Sequence, residues 1–228
     1  MDIGKSFTYV FDDEKWITKV LVGGLFILAS GFLVGIPFLV GYMLQTMRNV
    51  RQGVEKPLPE WDNLGEKFRE GLILALVYIV WAIPIWILAV IAVIAGALSG
   101  SGSDAAVAVG STLSICISCL IGLWGIVIAV LTPALFIRFA EKPEFKTGFE
   151  FAELWQITRE NIGNIIIAVL LYWVADFISG FGLILCGVGV LFTAFWAYMV
   201  GAHLFGQVWL NRKGTAGEPP AVEQPVVS

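Results

Sequence analysis

The sequence predicts an all-α integral membrane protein built from three helical hairpins, the first of them short and bent or re-entrant. Of its 228 residues, 58% are hydrophobic and 14% charged, whereas soluble domains average about 45–50% and about 25%. Residues 71–137 carry one formal charge, at Asp104, and are long enough to cross a hydrocarbon core of about 30 Å twice. All 14 Lys and Arg residues fall in four short segments: 1–19, 48–70, 138–160 and 212–213.

The central hairpin, residues 71–137, is the most clearly marked of the three. Two crossings are predicted, at 71–98 and 111–137, joined by a Ser/Gly-rich connection that begins at Ser99. We expect Pro84 and Pro133 to kink the two arms, because proline removes a helical hydrogen bond.

The first hairpin is predicted within residues 20–47, which carry no charge. As one helix this run would be about 42 Å long, too long for an upright crossing, and it is too short for two full crossings. Gly31, Gly35 and Pro37 predict a break at its midpoint. We expect the turn to be buried against the other hairpins, because lipid offers no hydrogen-bond partners to a freed backbone.

The third hairpin is predicted at residues 161–211, where Asp176 is the one charged residue, with its turn near 179–182. Residues 1–213 thus read as a single helical membrane domain, and residues 214–228 as a disordered cytoplasmic tail. An aromatic, amphipathic segment precedes each hairpin and predicts an interfacial helix there. These segments are Phe7–Trp16, Trp61–Phe68 and Phe149–Trp155, with Trp16, Trp61 and Trp155 as interfacial anchors.

The placement of Lys and Arg predicts the orientation of the chain. Cationic loops of membrane proteins stay in the cytoplasm, and none of the three predicted turns carries a Lys or Arg. Both termini and both polar segments, 48–70 and 138–160, are therefore predicted to be cytoplasmic.

A set of short motifs resembles the domain of unknown function 4013 family. The residues that carry the resemblance are Asp13-Glu14-Lys15-Trp16, Gly23-Gly24, Gly41-Tyr42 with Arg48, and Leu58-Pro59-Glu60-Trp61-Asp62 leading to Gly71. The resemblance covers most of the chain, to about residue 211. It implies a bacterial or archaeal cell membrane, and it implies no activity and no functional residue.

Four polar residues in or beside the apolar runs are candidate functional residues: His203, Gln207, Asp176 and Gln45. His203 and Gln207 are four residues apart and share a helix face. They fit either a polar cavity or, as we favour, a structural hydrogen bond between helices. Asp176 is either a functional carboxylate or, as we favour, a solvated residue near the turn. Gln45 and Asn49 repeat the spacing of Gln207 and Asn211 at the exits of two hairpins.

Small residues are the other candidates. Gly31 with Gly35 and Gly96 with Gly100 have the spacing of close helix packing. Cys116 and Cys119 have redox or metal spacing, but an apolar helix without a nearby His favours packing. No catalytic, cofactor-binding or metal site is predicted, no cofactor is expected, and no basic stripe predicts nucleic-acid binding.

Two classes of function remain open. The first is a non-enzymatic scaffold or accessory subunit that packs against lipid, a membrane-protein partner or copies of itself. The alternative is a transporter or channel for a small molecule or a lipid, suggested by the repeated hairpins and the His203–Gln207 pair. A membrane enzyme ranks third, because no catalytic motif is found.

Overall fold

The computed structural model describes residues 1–99, 103–184 and 187–212, and throughout these ranges it contains helices and no strand. The predicted tail, 214–228, Gly100 and Cys186 lie outside the described residues. Short 3₁₀ turns follow α1, precede α6 and follow α7. The α-helices are α1 (Ile3–Thr8), α2 (Trp16–Ser30), α3 (Gly35–Arg51), α4 (Leu64–Ser99), α5 (Asp104–Glu141), α6 (Phe151–Glu160), α7 (Ile162–Ser179) and α8 (Gly189–Leu210).

Four helices, α4, α5, α7 and α8, are long and apolar enough to cross a membrane. The helix α2 is apolar too but has only 15 residues, about 22 Å of helix against a hydrocarbon core of about 30 Å. An all-helical chain with several such segments is compatible with the predicted membrane protein, because helices satisfy their own backbone groups in lipid.

Helices α4 and α5, the long pair, run antiparallel. Tyr78 Oη donates to Thr132 Oγ1 at 3.0 Å, and one turn further along α4, Trp124 Nε1 donates to the carbonyl of Trp81 at 3.0 Å. Both helices continue past their prolines, Pro84 in α4 and Pro133 in α5.

The boundaries of the long pair differ from the sequence prediction at both ends. The predicted short surface helix over Trp61–Phe68 is not separate, because α4 starts at Leu64 and continues without interruption to Ser99. The second arm starts at Asp104 rather than 111, because Ser103 caps it by accepting a hydrogen bond from the amide of Ala106.

Helices α2 and α3, the short pair, are joined by residues 31–34. The expectation that this turn is buried in protein was wrong: Phe32 is 81% and Leu33 74% exposed. The physical reason is that the turn satisfies its own backbone. The amides of Gly31, Phe32 and Leu33 donate to carbonyls three residues back, at 2.9–3.1 Å. Pro37 lies in the first turn of α3, where its missing N–H costs no helical bond.

Helices α7 and α8 form the C-terminal pair, and α8 is the most enclosed helix of the molecule. Thr193 Oγ1 of α8 donates to the carbonyl of Ser179 at 2.6 Å, and Gly201 of α8 lies against the ring of Tyr172. Every residue of α8 from Met199 to Trp209 is buried, since α1, α2, α3 and α5 also pack around it.

Two glycines bring α3 and α4 into backbone contact. A Cβ at Gly41 would overlap the carbonyl oxygen of Lys67, and a Cβ at Gly71 would overlap that of Pro37. Each glycine therefore lets the other helix approach its backbone. Among the glycines of the predicted packing pairs, Gly35 lies equally close to the carbonyl oxygen of Phe26, whereas a Cβ at Gly96 would meet nothing within 4 Å.

The charged segments gather at one end of the helices, which we call the charged end. Lys15 pairs with Glu60 at 3.4 Å, Arg48 Nε donates to the carbonyl of Ala140 at 3.1 Å, and Arg212 pairs with Glu141 at 3.2 Å. These contacts link all four segments that hold the Lys and Arg residues.

We predict that Gly41→Ala destabilises the protein by about 1–3 kcal/mol, because the added methyl forces α3 away from α4. Gly96→Ala is the matched control and is expected to be neutral or stabilising by up to about 1 kcal/mol, since alanine favours the helix. Thermal unfolding in detergent measures both. Equal unfolding temperatures for the two variants would show that the α3–α4 crossing does not depend on backbone contact.

Candidate functional site

Residues 57–62, the polar strap, are held at the charged end by side chains from three helices. Four of its carbonyl oxygens each accept a side-chain hydrogen bond, which leaves little freedom to the backbone. The donors are Asn49 Nδ2 to Pro57 at 2.9 Å, Lys19 Nζ to Leu58 at 2.9 Å, Tyr42 Oη to Pro59 at 2.6 Å and Lys67 Nζ to Asp62 at 2.6 Å.

Trp61, predicted as an interfacial anchor, packs inside the molecule. Its ring stacks on Tyr42 at 4.1 Å and on Phe26 at 4.7 Å between ring centroids, and its Nε1 donates to the carbonyl of Lys19 at 3.0 Å. The strap is therefore locked by an aromatic stack as well as by hydrogen bonds. Most of the motif residues that carry the family resemblance meet here, so their arrangement is structural.

A buried ion pair holds the start of α2 to the strap. Lys19 Nζ lies 2.7 Å from Asp13 Oδ2 and 3.3 Å from Glu60 Oε1, and both Lys19 and Asp13 are buried. Burial raises the pKa of Asp13, but the hydrogen bonds from Lys19 and from the Lys15 amide outweigh it and leave that pKa below its ordinary value. The carboxylate therefore stays ionised at neutral pH.

A second ion pair joins three helices. The guanidinium of Arg48 in α3 bonds both oxygens of Glu70 in α4, at 2.8 and 3.0 Å, and its Nε donates to the Ala140 carbonyl in α5. This bidentate geometry gives strong and well-oriented hydrogen bonds. The two charges therefore neutralise each other, and three of the five guanidinium N–H groups are used within the protein.

His203 and Gln207 lie in a network that captures the N-terminal segment. Gln207 Oε1 accepts from the amide of Asp2 at 2.7 Å, and Gln207 Nε2 donates to the Asp2 carbonyl at 2.9 Å. Gln207 Nε2 also lies 3.0 Å, and Ser6 Oγ 2.9 Å, from Nδ1 of His203. Ser6 Oγ also donates to the Asp2 carbonyl at 3.0 Å and accepts from Gln207 Nε2 at 3.2 Å, so the four residues form one connected network.

This network packs closely against the N-terminal segment. Ser6 is fully buried, and the ring of Tyr9 stacks on the imidazole at 4.5 Å. The N-terminal segment packs along α8, with Tyr9 and Val10 buried, and its position in the membrane interface stays a prediction. A cavity of 380 Å³ beside the network is lined by His203, Gln207 and Lys5 among others.

Gln45 lines a polar pocket of 260 Å³ at the charged end. Its Nε2 donates to Asn49 Oδ1 at 3.1 Å, and the carboxylates of Glu60, Asp62, Glu66 and Glu70 also line the pocket. The hydrogen bond from Lys67, reinforced by its charge, lowers the pKa of Asp62. Asp62, Glu60 and Glu70 are each paired with a cation, so they offer no open set of ligands.

The remaining predicted residues do not converge on one place. Asp176 is exposed near the end of α7, Trp155 is 59% exposed on α6, and Trp16 is half-buried against Phe11. Gly31 is exposed in the turn of the short pair. Cys116 and Cys119 are free and exposed on α5. Among the described residues, no group of three or more His, Cys, Asp or Glu is arranged to hold a metal ion.

Sequence reasoning missed an aromatic cleft of 320 Å³ between the long pair and the C-terminal pair. Tyr78, Phe136, Tyr172, Trp173, Tyr198 and Phe205 line it, with Val40 and Met43 of α3. These residues come from five helices spread over 165 positions, so no local pattern in the sequence marks them. The aromatic content of α7 and α8 was the one available signal.

Comparison with known proteins gives one match. A family model described as "Protein of unknown function (DUF4013)" matches residues 24–188. The match includes α3 to α7, the strap and Gly71, while Asp13–Trp16 and all of α8 lie outside it. No curated protein and no solved structure matches the chain.

We predict that Gln207→Leu loosens the N-terminal segment, because the amide of Asp2 loses its partner and the carbonyl of Asp2 loses one of its donors. The expected loss of stability is about 1–3 kcal/mol, seen as a lower unfolding temperature and as faster tryptic cleavage at Lys5. Gln156→Leu is the control, since Gln156 bonds one exposed neighbour, Glu160, on the same helix. Unchanged cleavage at Lys5 in Gln207→Leu would contradict the capture of the N-terminus by α8.

Proposed function

The chain belongs to the domain of unknown function 4013 family, and on that premise we propose that it is a non-enzymatic membrane protein acting by packing. Its partner is a membrane protein or a second copy of the chain. Its contact surface is the distal half of the long pair, which is the half of α4 and α5 that lies farther from the charged end. One observation carries the proposal. In the most apolar stretch of each helix, 11% of α4 and 6% of α5 is buried, against 56% in α8. The long pair is thus the least enclosed part of the molecule.

The length of the long pair supports a role beyond spanning. From Gly71 to Ser99, α4 is about 43 Å long at 1.5 Å per residue, well over the hydrocarbon thickness of about 30 Å. Trp124 Nε1 of α5 donates to the carbonyl of Trp81 in α4, which joins the two helices of the pair to each other beyond Tyr78. Because the long pair is longer than the hydrocarbon core is thick, its exposed sides offer surface to a helix of another protein or of a second copy.

The polar groups of distal α5 are compatible with lipid and with close helix contact. The hydroxyls of Thr112, Ser114 and Ser118 donate to carbonyls four residues back at 2.8–2.9 Å. They therefore carry no unsatisfied donor into the membrane. A Cβ at Gly122 or Gly125 would meet nothing within 4 Å, so this surface leaves room for the backbone of a partner helix.

The alternative is a transporter or channel for a small molecule or a lipid. The aromatic cleft favours it, because the cleft offers apolar volume beside the membrane-spanning helices. The His203–Gln207 network weighs against a polar pathway, because its side chains bond the N-terminal segment.

We further propose a cell-membrane location with the charged end, both termini and the strap in the cytoplasm. The contacts that join the four cationic segments support a shared side, and the positive-inside rule assigns that side. Three hairpins then enter from the cytoplasm. The short pair enters only part of the way, because α2 is about 22 Å long and its exposed tip is apolar.

Impermeant thiol labelling on intact cells tests the orientation. Single cysteines replace Ser103, Glu66 or Lys146 in a chain whose three native cysteines are changed to alanine. We expect labelling at Ser103 alone, because Ser103 lies at the far end of the long pair and the other two at the charged end. Labelling at Glu66 or Lys146 with none at Ser103 would invert the topology.

Photo-crosslinking in native membranes tests the packing function. A photoreactive residue at Leu123 or Val93, 61% and 73% exposed on the distal long pair, is expected to give a discrete adduct of defined mass. Leu170, 53% exposed on α7, is the matched control and should give only diffuse lipid adducts. If the distal positions behave like Leu170, the long pair faces lipid and the packing proposal fails.

A further inference from the structure

The aromatic cleft lies within the apolar part of the bundle, beside the charged end. Tyr78 comes eight residues after Glu70 in α4, about 12 Å along the helix, and Thr132 comes six residues before Arg138 in α5, about 9 Å. Trp173 at its rim is 55% exposed on the outer surface of α7. The cleft is therefore reached from the surrounding lipid, from the side of the bundle.

The lining of the cleft is largely aromatic. Four of its rings, Phe136, Tyr172, Tyr198 and Phe205, come from three different helices, and Ala129 of α5 also lines it. Phe205 lies 5.9 Å from Phe136 and 6.2 Å from Tyr172 between centroids. Aromatic side chains at such spacings favour a planar ring as an occupant, because stacked and edge-to-face contacts are both available.

The cleft offers hydrogen-bond donors that the protein itself does not use. The hydroxyl of Tyr78 is committed to Thr132 at 3.0 Å. The hydroxyls of Tyr172 and Tyr198, in contrast, have no hydrogen-bond partner among the described residues. A phenolic hydroxyl in an apolar site usually finds a partner, so an occupant with acceptor oxygens complements these two.

The charge around the cleft selects an uncharged occupant. Among the described residues no Lys, Arg, His, Asp or Glu lines it, and the Asp176 carboxylate of α7 lies near enough to the Tyr172 and Tyr198 hydroxyls to interact with them electrostatically. At the charged end, two residues beyond Phe136, Arg138 is surrounded by the carboxylates of Glu141, Glu150 and Glu153. An anionic phosphate head group is disfavoured next to these carboxylates.

We propose that the aromatic cleft binds the head group of an isoprenoid quinone, a planar uncharged ring with two carbonyl acceptors, and that the tail leaves past Trp173 into the bilayer. A volume of 320 Å³ lies at the lower end of the range of about 300–1,000 Å³ for ligand pockets. It suits a substituted ring and the start of a tail better than a two-chain phospholipid. The proposal is one of binding, involves no electron transfer, and does not depend on the packing function.

Competitive photoaffinity labelling tests the proposal on the full chain in phosphatidylcholine nanodiscs. The probe is an azido-quinone, the competitor is decylubiquinone, and peptide mapping locates the label. We expect saturable labelling of peptides from α5, α7 and α8 that line the cleft, displaced by the competitor. Label spread evenly over the exposed helices, and not displaced, would overturn the proposal.

Variants separate the cleft from non-specific partition into lipid. Ala129→Phe fills the cleft and is expected to abolish saturable labelling, whereas Val93→Phe adds the same ring on the distal long pair and should leave it unchanged. Tyr172→Phe with Tyr198→Phe removes the two unused hydroxyls and should weaken binding at least about fivefold. Tyr78→Phe removes a hydroxyl already bonded to Thr132 and should change affinity less than about twofold.

Two further outcomes would also overturn the proposal. The first is unchanged affinity in the double tyrosine variant, provided that its unfolding temperature matches that of the wild type. The second is a phospholipid retained in native mass spectra that Ala129→Phe removes and decylubiquinone does not displace. That result would assign the cleft to a structural phospholipid instead.

Discussion

The need to satisfy buried polar groups next to an apolar bundle organises the whole charged end. The strap over residues 57–62 has no secondary structure of its own to pair its carbonyls, and side chains of α2, α3 and α4 supply the donors. The same requirement explains the bidentate hydrogen bonds from Arg48 to Glu70 and the hydrogen bonds between Gln207 and the backbone of Asp2. Leaving any of these groups buried without a partner costs about 1–3 kcal/mol. Hydrogen bonds thus hold the N-terminal segment to α8 and the strap to α3.

Close contact at glycines is the second kind of interaction that holds the helices together. Gly41 and Gly71 bring α3 and α4 together, while Gly23 and Gly24 of α2 receive the rings of Phe195 and Phe192 from α8. These contacts depend on shape, because between helices in lipid there is little hydrophobic driving force and packing has to supply the attraction. Along the most apolar stretches of α4 and α5, only 11% and 6% is buried. The change from enclosed to open surface along one pair of helices is the main functional clue in the molecule.

The functional proposals follow from this division. Polar residues that looked like candidates for chemistry, His203, Gln207 and Gln45, are joined to neighbours in the same chain. The surfaces left without a partner are apolar: the distal long pair and the aromatic cleft. The first is suited to another helix and the second to a flat, uncharged ligand. Packing and ligand binding are compatible, because the cleft lies near the charged end and the exposed part of the long pair lies beyond it.

The sequence by itself determined the helical membrane class, the family and the positions of the long apolar segments, because hydropathy over about 20 residues is a local property. It also indicated that the cationic segments share one side, since Lys and Arg are absent from the predicted turns. Tertiary structure decided what each residue does. Trp61 beside an apolar run predicts an interfacial anchor, but its ring stacks on Tyr42 of α3 and on Phe26 of α2. Residues 31–34 stay exposed because their amides bond within the turn, which hydropathy does not reveal. The cleft joins residues from Val40 to Phe205, and contacts at that sequence distance arise only when the helices pack.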